Sequence, residues 1–169
     1  KGTVDMNVLS IFLVISFLFL GVIAKSQNTV NEVIASYKYE TKQLKIDDST
    51  SIAYIDEGKG SRTLIMIHGL ATYLPSWYPQ FDYLKESNRC IALDLPGYGR
   101  SSKGDYPATM TYYASVIKIL IEELKIENPV LIGHSMGGQI AVTTVLQYPE
   151  LFKELILLAP AGFETFTEQ

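Results

Sequence analysis

Four short, continuous apolar runs constrain the fold of this sequence more than any other feature. They occupy residues 64–67, 90–93, 130–132 and 155–158. A run of this length without polar alternation is typical of a strand that is buried on both faces, and such strands belong to parallel sheets. The sequence therefore predicts a central sheet of parallel strands.

Helical segments alternate with these runs. Three stretches carry the helical pattern, at about residues 75–85, 111–125 and 136–148. Two extended segments, 37–46 and 51–56, come first, and the turn-prone Asp47-Asp48-Ser49 between them indicates an antiparallel hairpin. The pattern predicts an α/β fold with a mostly parallel, doubly wound sheet that begins with a hairpin, all within residues 37–169.

The amino terminus has a different character. Residues 8–24 carry no charged side chain and no helical face, as expected of a signal peptide or a membrane anchor. Small residues allow cleavage after Ala24 or after Ser26, whereas the length of 17 residues also approaches that of a spanning helix. We therefore expect residues 1–26 to lie outside the fold and residues 27–36 to form a polar leader. The domain would then be exported, periplasmic or secreted, or be held at a membrane through residues 8–24.

Charge and cysteine content exclude several classes of function. The chain has 14 basic and 18 acidic side chains, a net charge of −4, and no basic patch suited to nucleic acid. Its single cysteine, Cys90, lies inside an apolar run and is predicted to be a buried, inert thiol. A lone cysteine can build neither an internal disulfide nor a thiolate metal site. We predict no metal site and no nucleic-acid partner.

The motif Gly-x-Ser-x-Gly at residues 133–137 follows the third apolar run directly and opens a helical segment. A serine on such a tight strand-to-helix turn must adopt a strained backbone conformation. Glycines two residues away on either side remove side chains that would clash there. Ser135 is therefore the candidate nucleophile, exposed at the positive end of a helix dipole. The alternative interpretation is an ordinary helix N-cap serine.

Two further loops follow apolar runs. In His68-Gly69-Leu70, Gly69 would permit a close turn, so that the N–H groups of Leu70 and Met136 form an oxyanion hole. His68 is a candidate general base, but a histidine in this place more commonly fixes its loop by hydrogen bonds. His134 adjoins Ser135 on an extended strand, so its ring is expected to point away from the seryl hydroxyl.

The loop at residues 94–101, Asp-Leu-Pro-Gly-Tyr-Gly-Arg-Ser, is rich in turn residues. Asp94 as the catalytic acid would break the usual chain order of serine, acid and histidine, so we interpret it as a loop-organising residue. The three loops in this order, each after an apolar strand, resemble the α/β-hydrolase fold family in its serine-nucleophile, esterase- or lipase-like branch. The resemblance extends over about residues 38–163.

That resemblance implies hydrolysis of a small-molecule carboxylic ester, or of a related acyl or carbon–carbon bond, through an acyl-serine at Ser135 and without metal or organic cofactor. Such enzymes carry their acid and base histidine on loops after later strands, which this sequence lacks. We therefore expect an amino-terminal fragment that ends before the lid and those residues, inactive by itself and poorly soluble.

The sequence leaves open the role of three aromatic residues and two alternative functions. Tyr73, Trp77 and Tyr78 would suit an apolar acyl or aryl group, or would simply pack the first helix against the sheet. A non-catalytic protein that holds a ligand in the hydrolase pocket is the main alternative function. A membrane-tethered fragment that acts by association is the second alternative.

Overall fold

One six-stranded sheet forms the centre of the fold. The computed structural model describes residues 37–162, and the elements belong to a compact unit that begins at Tyr39. The strands are β1 (Lys42–Lys45), β2 (Ser51–Glu57), β3 (Thr63–Ile67), β4 (Arg89–Leu93), β5 (Val130–His134) and β6 (Glu154–Leu158). Their order across the sheet is β1-β2-β4-β3-β5-β6.

Strand pairing confirms the predicted topology. β2 pairs antiparallel with both β1 and β4, whereas β3–β4, β3–β5 and β5–β6 are parallel. The predicted hairpin is therefore present, and the four apolar runs form four parallel strands. The α/β fold class inferred from the sequence is confirmed.

Three helices and two short 3₁₀ turns connect the strands. They are a 3₁₀ turn at Leu74–Trp77, α1 (Tyr78–Leu84), α2 (Met110–Glu123), α3 (Met136–Gln147) and a second 3₁₀ turn at Pro149–Leu151. The single helix predicted for residues 75–85 is divided in two. Pro75 and Pro79 each lie in the first turn of their own segment, where a missing N–H breaks no helical hydrogen bond.

The core lies on both faces of the central strands. Ile65, Ile91 and Leu131 point to one face and Met66 and Ala92 to the other, and all five are inaccessible to solvent. α2 adds the predicted apolar face, in which Val116, Ile117, Leu120 and Ile121 are buried and Leu124 is half-buried. Each such buried side chain contributes about 1.5–3 kcal/mol to stability, so the sheet is a rigid support for the loops at its edge.

The last strand corrects one expectation. β6 was predicted to be buried on both faces, but Ile156 and Leu158 are 41% and 42% exposed. Leu155 and Leu157 of the same strand pack against the core. The alternating burial shows that one face of β6 is covered, whereas the other face is open to solvent in the described part of the chain.

The predictions for the amino terminus concern residues outside the described part of the chain. This applies to the apolar segment 8–24, to the proposed cleavage sites and to the leader 27–36. Within residues 37–162, no helix is both long enough and apolar enough to span a bilayer.

Candidate active site

Ser135 occupies a strained turn between β5 and α3. Its backbone angles, φ 53° and ψ −119°, lie in a region that residues other than glycine rarely adopt. Its N–H donates to the carbonyl of Leu158 at 3.1 Å, and its own carbonyl accepts the N–H groups of Gly138 at 2.9 Å and Ala161 at 3.0 Å. These bonds hold the residue in place, and the predicted backbone strain is confirmed.

The two motif glycines allow the close packing of this turn. A Cβ on Gly133 would lie 2.3 Å from the carbonyl oxygen of Gly137. A Cβ on Gly137 would lie 2.3 Å from the carbonyl oxygen of Ile67, at the end of β3. Both positions are closer than carbon and oxygen can approach, so the spacing of the motif follows from contact between α3 and the ends of β3 and β5.

The hydroxyl of Ser135 has no hydrogen-bond partner among the described residues. In particular, it does not accept from an amide of the first turn of α3, as an N-cap serine would. The side chain is half-buried beside the start of that helix. The geometry therefore differs from an ordinary N-cap and leaves the hydroxyl available for chemistry.

The loop after β3 packs directly against this turn. A Cβ on Gly69 would lie 3.3 Å from the Cβ of Ser135 and 3.1 Å from Nδ1 of His134. The left-handed residue of the loop is Ala71, with φ 56°, and not Gly69. Gly69 therefore does not form the turn as predicted. Its lack of a side chain instead leaves room for the turn at Ser135 between β5 and α3, called the elbow below.

The two predicted oxyanion donors lie on the two segments that meet there. Met136 is the first residue of α3, where backbone N–H groups have no partner within the helix. Leu70 follows Gly69, and within the described residues its N–H makes no hydrogen bond, while its side chain is 66% exposed. Convergence of these two N–H groups on one oxygen stays a prediction.

His68 holds the loops together. Its ring is fully buried, and Nε2 accepts the N–H of Leu95 at 3.1 Å, so the proton resides on Nδ1, which donates to the carbonyl of Gly69 at 2.8 Å. Burial lowers the pKa of this imidazole, although the bond to Gly69 and the charge of Asp94 oppose the shift. Both ring nitrogens are engaged, as predicted for a loop-fixing histidine.

Asp94 organises the loop after β4. One carboxylate oxygen accepts the N–H of Leu74 at 2.7 Å and the other accepts the N–H of Arg100 at 2.8 Å. The hydroxyl of Ser101 donates to the backbone carbonyl of Asp94 at 2.6 Å. The carboxylate is fully buried and joins two loops by charge-assisted hydrogen bonds, which agrees with the interpretation from the sequence.

A cavity of about 210 Å³ opens next to the elbow. It is lined by Thr72, Ser76, Trp77, Gln80, His134 and Leu158. His134 lines this cavity from the last position of β5, which no feature of the sequence indicated. The indole Nε1–H of Trp77 is buried without a partner among the described residues.

The three aromatic candidates therefore differ in position. Trp77 lines this cavity, and Tyr73 lines a neighbouring open cleft. Tyr78 packs edge-on against Tyr39, with 5.4 Å between ring centroids. Contact of Trp77 or Tyr73 with an acyl or aryl group of a substrate stays a prediction.

In residues 37–162, no three His, Cys, Asp or Glu side chains are grouped so that they could hold a metal ion. Cys90 is buried in β4 as a free thiol, and burial raises its pKa to about 11. The predicted burial of this cysteine is confirmed, and a raised pKa favours the protonated, less reactive thiol.

Residues 62–169 match the sequence model of the α/β-hydrolase fold. The chain belongs to this family. An uncharacterized hydrolase, YugF, of Bacillus subtilis is 36% identical over 108 residues, which are 63% of this chain and 40% of that protein. The acetyltransferase component of the acetoin cleaving system of Cupriavidus necator is 33% identical over 116 residues, 69% of this chain and 31% of that protein.

A solved structure agrees with the sequence relatives. An esterase from Exiguobacterium antarcticum superposes with a TM-score of 0.65 at 34% identity, covering 72% of this chain and 46% of the esterase. The chain thus spans 31% to 46% of the length of these three proteins. Relatives of this α/β-hydrolase chain include proteins named as a hydrolase and an esterase.

Proposed function

We propose that the full-length protein containing this α/β-hydrolase chain is a serine hydrolase that cleaves carboxylic esters, or related acyl bonds, through an acyl-serine at Ser135. One observation carries the proposal. Ser135 is held in a strained turn at the start of α3, and its hydroxyl has no partner among the described residues. Backbone strain of this kind occurs where surrounding structure enforces it, and active sites are where it concentrates.

The proposed chemistry begins with attack of the Ser135 hydroxyl oxygen on the ester carbonyl. The N–H groups of Leu70 and Met136 would stabilise the resulting oxyanion, aided by the dipole of α3. The alkoxide of the leaving alcohol departs and takes up a proton, leaving an acyl-serine. Water then attacks this ester, which releases the carboxylic acid and restores the hydroxyl.

A base must remove the proton from Ser135, because a protonated seryl hydroxyl is a poor nucleophile. His68 is unsuited, since both of its ring nitrogens are engaged in hydrogen bonds. We infer that a histidine and a carboxylate outside these 169 residues supply the base and its orienting partner. The short coverage of the relatives is consistent with this, because more than half of each relative lies outside the match.

The cavity beside the elbow would receive one end of the substrate. The described lining encloses about 210 Å³, and Trp77 and Leu158 give it apolar surface that suits an acyl or alcohol group. The names of the relatives imply different acyl acceptors. A hydrolase transfers the acyl group to water, whereas an acetyltransferase component transfers it to another molecule. We favour water because two of these three relatives are named for hydrolysis, one as a hydrolase and one as an esterase.

The test compares wild-type full-length protein with Ser135→Ala on p-nitrophenyl acetate. We expect the burst of p-nitrophenol to vanish and turnover to fall by at least about 10³-fold, because the nucleophile is lost. Ser87→Ala is the matched control, since this exposed serine lies before β4, at the opposite end of the strands, and should leave turnover unchanged. A burst that survives Ser135→Ala would show that another group is the nucleophile.

A second readout identifies the intermediate and the acceptor. Mass spectrometry of the acid-quenched wild-type protein should find the acetyl group on the peptide containing Ser135. Products formed with and without an added alcohol separate hydrolysis from acyl transfer. Ligand binding without any acylation of Ser135 would instead support the non-catalytic alternative.

A further inference from the structure

The carbonyl oxygen of Gly69 accepts three hydrogen bonds. It accepts Nδ1–H of His68 at 2.8 Å, the hydroxyl of Thr72 at 2.9 Å and, more weakly, the N–H of Thr72 at 3.4 Å. A carbonyl oxygen has two lone pairs, so these donors saturate it. The orientation of this carbonyl is therefore fixed.

That carbonyl belongs to the same peptide unit as the N–H of Leu70. The unit is planar, and no cis peptide bond occurs in the described residues. In a trans peptide the N–H points away from the C=O, so fixing the carbonyl of Gly69 also fixes the direction of the Leu70 N–H. Rotation of the peptide plane would break all three bonds.

The same bonds strengthen the N–H as a donor. Hydrogen bonds accepted by a peptide carbonyl polarise the unit and make its N–H a better donor in a low-dielectric site. The loop cannot lean toward the elbow without contact, because Gly69 already packs against Ser135 and His134. The Leu70 N–H is thus held before any substrate arrives.

We propose that Thr72 is a positioning residue for the oxyanion hole, acting through its hydroxyl on the Gly69–Leu70 peptide. The inference rests on the proposed function. Thr72 also lines the cavity, but its hydroxyl proton is committed to Gly69 and is not available to a substrate. Its contribution should therefore appear in the transition state, where the oxyanion forms, and not in the binding of the ester.

Thr72 is a better target than His68. His68 is fully buried and also accepts the N–H of Leu95, so its replacement would disturb the loop after β4 as well. Thr72 is half-buried, and its side chain makes the single hydrogen bond to Gly69 in the described structure. Removal of its hydroxyl changes one bond to one carbonyl.

The experiment uses the full-length protein with Thr72→Val, which keeps the shape and removes the hydroxyl, and Thr72→Ser, which keeps the hydroxyl and removes the methyl group. Active-site titration with a fluorophosphonate expresses kcat per competent site, so partial misfolding does not enter the result. For Thr72→Val we expect kcat to fall about tenfold, less than the 10²–10³-fold cost of deleting an oxyanion donor. KM should change less than about twofold, and Thr72→Ser should retain wild-type kcat.

A transition-state analogue gives a second readout. The inhibition constant of a trifluoromethyl ketone, whose hemiketal oxygen mimics the oxyanion, should rise in Thr72→Val by the same factor as kcat falls. Wild-type kcat in Thr72→Val, equal losses in both variants, or a rise in KM alone would overturn the inference. If Ser135→Ala abolishes turnover on the same ester, these outcomes reject only the role of Thr72. If Ser135→Ala retains turnover, the proposed function itself fails.

Discussion

At the scale of the residue, Ser135 combines a strained backbone with a free hydroxyl. A φ of 53° costs a serine energy that glycine avoids, and sparsely populated conformations of this kind cost about 1–3 kcal/mol each. Stability does not explain a serine at this position, which supports the proposed role of Ser135 as the nucleophile. The neighbouring glycines show the opposite case, because there the fold requires the side chain to be absent.

A matched pair of variants separates strain from function. Ser135→Ala keeps a Cβ and the strain, whereas Ser135→Gly removes both. Relief of the strain stabilises Ser135→Gly, and the greater conformational entropy of glycine in the unfolded chain offsets about 0.5–1 kcal/mol of that gain. We therefore expect Ser135→Gly to be more stable than Ser135→Ala by about 1 kcal/mol. Both variants should lack esterase activity. Urea unfolding of the full-length proteins measures the difference, and equal midpoints would argue that the turn is not strained.

At the scale of the element, the junction of β5 and α3 depends on close backbone contact. A methyl group on Gly137 would lie 2.3 Å from the carbonyl oxygen of Ile67, which belongs to the sheet and cannot move freely. We expect Gly137→Ala to destabilise the protein by about 1–3 kcal/mol or more, as overpacked sites do. Gly104→Ala is the control, since nothing lies within 4 Å of its added Cβ. Thermal unfolding of both variants decides the point, and equal melting temperatures would contradict it.

Strands and helices could be predicted from the sequence only where their own residues determine them. The central strands β3, β4 and β5 could be identified because burial on both faces leaves a continuous apolar run. The same signal failed for β6, whose exposed face depends on which elements cover it and not on its own residues. The divided helix at residues 74–84 was missed because Pro75 and Pro79 act on backbone geometry and leave the apolar spacing unchanged.

The site divides in the same way. Ser135, Gly133 and Gly137 lie in one short motif, so their spacing carries the information, and Asp94 and His68 were recognised from their loops. The hydrogen bond from Thr72 to Gly69 and the place of His134 beside the cavity left no signal in the sequence, because each depends on how a side chain is oriented in the folded loop.

At the scale of the whole molecule, the strand order brings the three loops together. β3 lies between β4 and β5, and all three are parallel, so their carboxyl ends meet at one edge of the sheet. Ligand sites of open α/β sheets form at this edge. The loops that begin at His68, Asp94 and Ser135 leave the sheet there, which explains why residues far apart in the sequence share one site.

The same arrangement predicts how the 169 residues behave when produced alone. Their two histidines are His68, whose ring nitrogens are both engaged, and His134, which lines the cavity but makes no hydrogen bond to the Ser135 hydroxyl within the described residues. We therefore expect ester turnover at least about 10³-fold below that of the full-length protein, and no labelling of Ser135 by a fluorophosphonate. Parallel assays of the two proteins make the comparison, with circular dichroism to show that the shorter one is folded. Turnover by the shorter chain that disappears in His134→Gln would show instead that the base lies directly before the nucleophile.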